Sequence, residues 1–169
     1  MEDLRYPAGK FTPPAASTAA DRNAQIEGIA GAPAGFRQAI QELPEGGLDK
    51  PYRPGGWTAR QVVHHVADSH MNSYVRFRLA LTEETPTIKP YEESRWAELE
   101  DARSAPAEIS LQLLDALHDR WVRLLRSLSD RDFQRKLRHP EMGEITLEYM
   151  LALYDWHCRH HTAHIRLIK

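Results

Sequence analysis

Apolar residues recur at helical spacing along most of the chain, and the polar residues between them mark out four long amphipathic helices. The first, from about Ala19 to Leu43, is interrupted by Gly28, Gly31 and Pro33, which predicts either two helical pieces or one kinked helix. The second opens at Thr58-Ala59-Arg60-Gln61, which has the form of a capping box: Thr58 caps, and Gln61 reaches back from the third helical position. It is expected to run to about Glu83. Val63, Val66, Ala67, His70, Tyr74, Phe77 and Leu81 form its apolar side, and His65, Ser69, Asn72 and Arg76 make an adjoining polar stripe able to line a pocket. In the third, Ala107 to Leu128, the residues Ile109, Leu113, Leu114, Leu117, Trp121, Leu124, Leu125 and Leu128 repeat at helical spacing, with His118 structural or exposed. Thr146 caps the fourth, with Glu148 in its first turn.

The segments between these helices read as connections. Pro7, Gly9, Pro13 and Pro14 suit an extended arm over residues 1–18, with Tyr6 and Phe11 as anchors. Pro44 to Gly56 is a loop rich in proline and glycine, and residues 84–105 form a long connection with a short helix around Glu93 to Leu99. Asp132 and Phe133 start a short helical turn, and Pro140 to Gly143 form a turn. No stretch alternates convincingly as a strand, so the fold class is all-α: a four-helix bundle with an extended N-terminal arm, residues 1–169 making a single domain.

Composition narrows the possible partners. The 169 residues fit one domain with a substantial core. The 22 basic and 24 acidic residues give a net charge of −2, and no basic run tracks a phosphate backbone, so nucleic acid is not an expected partner. The apolar stretches fall far short of the roughly 20 residues needed to cross a bilayer. Cys158 is the single cysteine, so no intrachain disulfide is possible. Met1 to Pro7 lack the basic region and apolar core of a secretory signal, and the expected compartment is the cytoplasm.

Candidate chemistry concentrates in the last helix. Of nine histidines, four fall within His157 to His164. His157 and His161 are four apart, so their imidazoles lie on one helical face and can converge on one point. The stripe Met150, Tyr154, His157, His161, His164, Ile168 is apolar at its ends, which favours an inward direction. Converging imidazoles point to a transition metal, with a further ligand from the segment of His64, His65 and His70 on the second helix. The plainer alternative is that these histidines complement the helix dipole together with Arg159, Arg166 and Lys169. Three neutral imidazoles leave a zinc or nickel ion with open positions, from which a metal-activated water or a thiolate could react. Cys158, an alternative soft ligand or nucleophile, sits about 100° around the helix from His157 and has no identifiable base.

These residues resemble the DinB-like superfamily and, within it, the YfiT group of metal-dependent hydrolases. The resemblance covers nearly the whole chain: Tyr6-Pro7, the run from Pro51 to Thr58, the run from Val62 to Tyr74, Leu81 to Pro86, and Trp156-His157 with His160, His161 and His164. It implies a DinB four-helix bundle, one divalent zinc or nickel ion per subunit held by His65, His157 and His161, and a homodimer. Cys158-Arg159 departs from the group's common Ser-His without touching that triad. Wider relatives include thiol S-transferases that join a thiol such as bacillithiol to an electrophile.

A metal-dependent hydrolase acting on a small molecule is therefore the leading expectation. Thiol S-transfer and a non-enzymatic metal or ligand binding module are the alternatives. Asp68, Asn72, Arg76 and His164 are expected to support the site or bind substrate, and His64 to pack. Trp57, Trp121 and Trp156 are expected in the core or pocket wall, and Thr82 to Pro86 with Tyr91 as a rim.

Overall fold

Proline inside a helix removes one hydrogen-bond donor and crowds the preceding turn, yet α1 (Ala19–Gln41) runs through Pro33 as one helix. A computed structural model describes residues 3–169, so the first two residues of the expected arm lie outside the described residues. Thr18 caps α1 in a capping box with Asp21. The predicted box at Thr58 opens α2 (Ala59–Thr82), where Gln61 returns its side chain to the Thr58 backbone. The connection that follows contains α3 (Glu93–Trp96) and α4 (Glu100–Ser104). α5 (Ala107–Arg126) leads into the single turn α6 (Asp130–Phe133), and α7 (Leu147–Arg166) begins at the Thr146 cap.

The four long helices α1, α2, α5 and α7 form the bundle. α1 packs against α5 and α7, and so does α2, which puts the consecutive helices α1 and α2 at diagonal corners. Ile29, Phe36, Phe77, Leu114, Trp121 and Leu151 are fully buried between them, each contributing on the order of 1.5–3 kcal/mol of transfer free energy. Gly28 of α1 lies against α7, where a Cβ would collide with the Asp155 carboxylate. Arg22 of α1, itself buried, pairs with Glu148 of α7 at 2.8 Å and with Asp130 of α6.

Two expectations change. Between α6 and α7 the chain forms a hairpin, β1 (Lys136–His139) antiparallel to β2 (Gly143–Thr146), with Leu137 opposite Ile145. The turn was legible, but strands of four residues are too short to establish an alternating pattern. The apolar face of α5 is also rotated from its predicted position: Ile109 and Leu113 are 58% and 39% exposed, while Leu111 and His118 are buried beside Leu114 and Trp121. The core holds the stripe Leu111, Leu114, His118, Trp121 and Leu125, and it includes a histidine because that imidazole finds polar partners there.

The N-terminal arm lies along α7, as its aromatics predict. Phe11 meets the Tyr149 ring edge-on at 5.4 Å, and the Trp156 indole donates to the Gly9 carbonyl at 3.0 Å. Among the described residues no helix is long and apolar enough to cross a membrane.

Candidate metal centre

Because α2 and α7 are neighbours in the bundle, stripes from the two helices meet. His65 of α2 faces His157 and His161 of α7, with ring centroids 5.5 and 4.8 Å from it and 4.4 Å from each other. One potential ligand atom from each of the three lies within 4.8 Å of the others. Burial lowers the His65 pKa to about 4, with the nearby imidazoles His160 and His164 adding to the effect. Burial also holds His157 and His161 well below the usual imidazole range. All three are therefore neutral at pH 7 and have lone pairs to offer.

The second nitrogen of each ring separates them. Nδ1 of His157 is 3.1 Å from Nε2 of His70, and Nδ1 of His161 is 3.3 Å from Nδ1 of His164. His65 is only 5% exposed, and among the described residues its ring makes no hydrogen bond. Neither nitrogen is sealed from solvent, because the ring borders an open cleft, so its lone pair is free for a ligand. Imidazole donors suit zinc, nickel, copper and iron, and the three rings fit a divalent transition metal by donor type, charge state and convergence. His160, His161 and His164 form a second such group, sharing His161 with the first. In that group the His160 ring stacks on Trp156 at 4.3 Å, and the His164 ring stacks on Tyr52 at 4.0 Å.

The triad opens into a cleft of about 490 Å³. Trp57, whose ring is 4.7 Å from that of His65, forms one wall. Ser69 and Tyr154 form another, joined by a 3.2 Å contact between their hydroxyls. Arg76 lines the cleft and donates to the Lys89 carbonyl at 3.3 Å. Tyr91 lines an adjoining recess that shares Trp57, Ser69 and Tyr154, in keeping with a rim.

Other expected site residues lie elsewhere. Asp68 and Asn72 are not among the residues lining the cleft; the Asn72 amide donates to the Asp68 carbonyl at 2.9 Å, and burial raises the Asp68 carboxyl pKa to about 6. Glu83, Glu84 and Thr85 border a separate cleft of about 740 Å³ beside Arg135, so the segment from Thr82 to Pro86 does not rim the histidine site. Its course is set by Thr85, at φ 45°, and by the pairing of Ile88 and Pro86 with Arg138 of β1. His64 packs as expected, accepting from the Ser110 hydroxyl at 2.7 Å and donating to the Ala105 carbonyl at 3.1 Å. Trp121 is core, and Trp156 is cleft wall. Cys158 is buried away from the triad, and burial pushes its thiol pKa up.

Sequence reasoning missed Glu93, His139, Glu141 and Arg53, all of which line the cleft. Glu93 lies on the connection singled out for its proline and aromatic residues. His139 and Glu141 come from the hairpin, and nothing local in the sequence aims a turn between α6 and α7 at this site.

A four-helix bundle in which two facing helices bring three neutral imidazoles, two buried and one half-buried, to an open cleft belongs to the class of bundles that hold metals on core side chains. The chain is a member of the DinB superfamily, whose profile matches residues 29–165. It is 53% identical over 169 residues, all of this chain and 97% of the relative, to a protein of Bacillus cereus strain B4264 named "putative metal-dependent hydrolase". A protein of Bacillus mycoides strain KBAB4 with the same description matches with the same identity and coverage. Among solved structures, YfiT from Bacillus subtilis, described as a probable metal-dependent hydrolase with an unusual four-helix bundle topology, superposes with a TM-score of 0.92. It is 50% identical, over 96% of this chain and 93% of that one.

Proposed function

We propose that this protein is a metal-dependent hydrolase of small molecules, with one divalent ion, zinc or nickel, held by His65, His157 and His161. The observation that carries this reading is His65: a buried, neutral imidazole with no hydrogen bond among the described residues, facing two more across the α2–α7 seam. The names of relatives more than half identical over the full chain support the same reaction class.

The ion, when bound, supplies Lewis acidity to a water and to a substrate carbonyl or similar group. The chain's own residues bind and orient. A cleft of about 490 Å³ falls in the size range of small-molecule sites, roughly 300–1,000 Å³. Trp57 and Tyr154 give it apolar walls that exclude water from one side of the triad, and Ser69 holds the Tyr154 hydroxyl in place. Arg76 offers a cation to an acidic or polar part of the substrate. Glu93 lies exposed at the mouth of the cleft, where partial loss of surrounding water raises its carboxyl pKa against the opposing pull of Arg76, and it is placed to hold or release a proton there.

The test is turnover of a panel of chromogenic esters and amides by metal-stripped, zinc-loaded and nickel-loaded protein, with and without added low-molecular-weight thiols. Hydrolysis that needs the metal, needs no thiol and disappears in His65→Ala is expected. Turnover only in the presence of a thiol, with the thiol found in the product, would assign thiol S-transfer instead.

A further inference from the structure

Taking the proposed ligands as given, we infer that two rows of hydrogen-bonded imidazoles, each ending on a backbone carbonyl, fix the tautomers of His157 and His161 so that each keeps its Nε2 lone pair for the ion. The longer row starts from Pro33. Because proline has no N–H, the Ile29 carbonyl one turn earlier in α1 has no helical donor. Nδ1 of His118, on α5, lies 2.7 Å from it. A carbonyl only accepts, so this nitrogen carries the proton.

Each following step is then determined. A neutral imidazole has one N–H and one acceptor nitrogen, and His118 and His70 are buried deeply enough to be neutral. Nε2 of His118 is therefore an acceptor, and its partner at 2.7 Å, Nδ1 of His70, carries a proton. Nε2 of His70 accepts in turn from Nδ1 of His157 at 3.1 Å. His157 is left with a free lone pair on Nε2. The row crosses all four corners of the bundle, from α1 through α5 and α2 to α7.

The shorter row has the same logic. The Arg5 carbonyl of the N-terminal arm accepts from Nε2 of His164 at 3.2 Å, so Nδ1 of His164 accepts from Nδ1 of His161 at 3.3 Å. His161 is likewise left with a lone pair on Nε2. His164 is thus a positioning residue, and with its Nδ1 lone pair engaged the group of His160, His161 and His164 does not hold a second ion. Outer partners of ligating histidines are commonly carboxylates or single carbonyls. Here neutral rings carry the direction of a distant carbonyl to the site without adding charge.

Long-range proton–nitrogen correlation spectra of the metal-stripped full chain, labelled with ¹⁵N in its histidines at pH 7.5, read each tautomer directly. The expected result is a proton on Nδ1 of His118, His70, His157 and His161 and on Nε2 of His164. A proton on Nε2 of His157, or averaged tautomers along the row, would overturn the inference. Two variants add a measure of function. The amide of His118→Gln can donate to Ile29 and accept from His70, whereas His118→Leu can do neither. With folding checked by circular dichroism, zinc competition titrations should show the leucine variant weakened by about ten- to a hundred-fold and the glutamine variant close to the parent. Equal weakening in both would count against the row as the cause. The expected tautomers in a chain that binds neither zinc nor nickel would support the rows and remove the metal reading, so the two ideas fail separately.

Discussion

His64 and His65 are consecutive residues of α2 with similar exposure, 7% and 5%, yet they sit in opposite chemical situations. On the flank facing α4 and α5, His64 has a partner for each nitrogen and serves as a polar rivet between elements. On the flank facing α7, His65 has no hydrogen-bond partner among the described residues and looks into an open cleft. A step of about 100° around a helix separates a structural histidine from a candidate ligand. What distinguishes them is neither burial nor residue type but whether the protein itself satisfies the ring. By the same criterion His70 and His118, buried still deeper, belong with His64.

Replacing each neighbour in turn gives the largest contrast. His65→Ala should weaken zinc binding by more than about a hundred-fold, since loss of a direct ligand exceeds the 10–100-fold typical of outer partners, while folding stability changes little or improves. Competition with a chromophoric chelator measures the first effect, and thermal melting of the metal-free protein the second. His64→Ala should do the reverse. It strands the Ser110 hydroxyl, at roughly 1–3 kcal/mol, while the Ala105 carbonyl keeps its bond from Arg60, and it leaves metal affinity near that of the parent. Urea unfolding of the metal-free chain checks it.

Acid should sharpen the distinction from the side of the unfolded state. Burial lowers the pKa of His65, His70 and His118 below the ordinary imidazole value of 6.5. Between that value and the lowered ones the unfolded chain binds more protons than the folded chain. Stability of the metal-free protein is then complete above pH 6.5 and falls towards pH 4, by on the order of 1 kcal/mol per pH unit for each such group. Asp68, raised to about 6 by burial, and Glu93, whose carboxyl is also raised, work against this trend, as two groups against several. Urea midpoints at pH 7 and pH 5 report the net sign, and the midpoint is expected to be lower at pH 5.

The smallest effect belongs to Cys158. Its thiol is buried and its pKa pushed up, so it should resist thiol reagents at pH 8 in the folded state. Cys158→Ala should leave metal content unchanged and cost roughly 1 kcal/mol of stability. Rapid labelling of the native protein would mark α7 as locally open beside the site.

Much of the fold was readable because local rules and tertiary context agree. The Thr58 box, the Thr146 cap and the inward stripe of α7 each follow from residues within one or two turns. The meeting of His157 and His161 is of the same kind, since spacing along one helix decides it. The choice between His64 and His65 could not be made from spacing, because it depends on where α5 and α7 stand around α2; resemblance to a family made it. His118, structural or exposed on spacing alone, stayed undecided for a similar reason. Its place in the core depends on a carbonyl freed by Pro33 in another helix, and the leucines at 113 and 117 drew the predicted face away from it. His139 and Glu141 reach the cleft through a hairpin whose strands are too short to show in the pattern.

Zinc K-edge absorption spectroscopy of the protein loaded with one equivalent tests the central claim most directly. It should show three imidazole nitrogens at about 2.0–2.1 Å, a further light scatterer from solvent and no sulfur, with one imidazole lost in His65→Ala. A shell filled by four protein ligands, a sulfur from Cys158, or a spectrum unchanged by His65→Ala would contradict it.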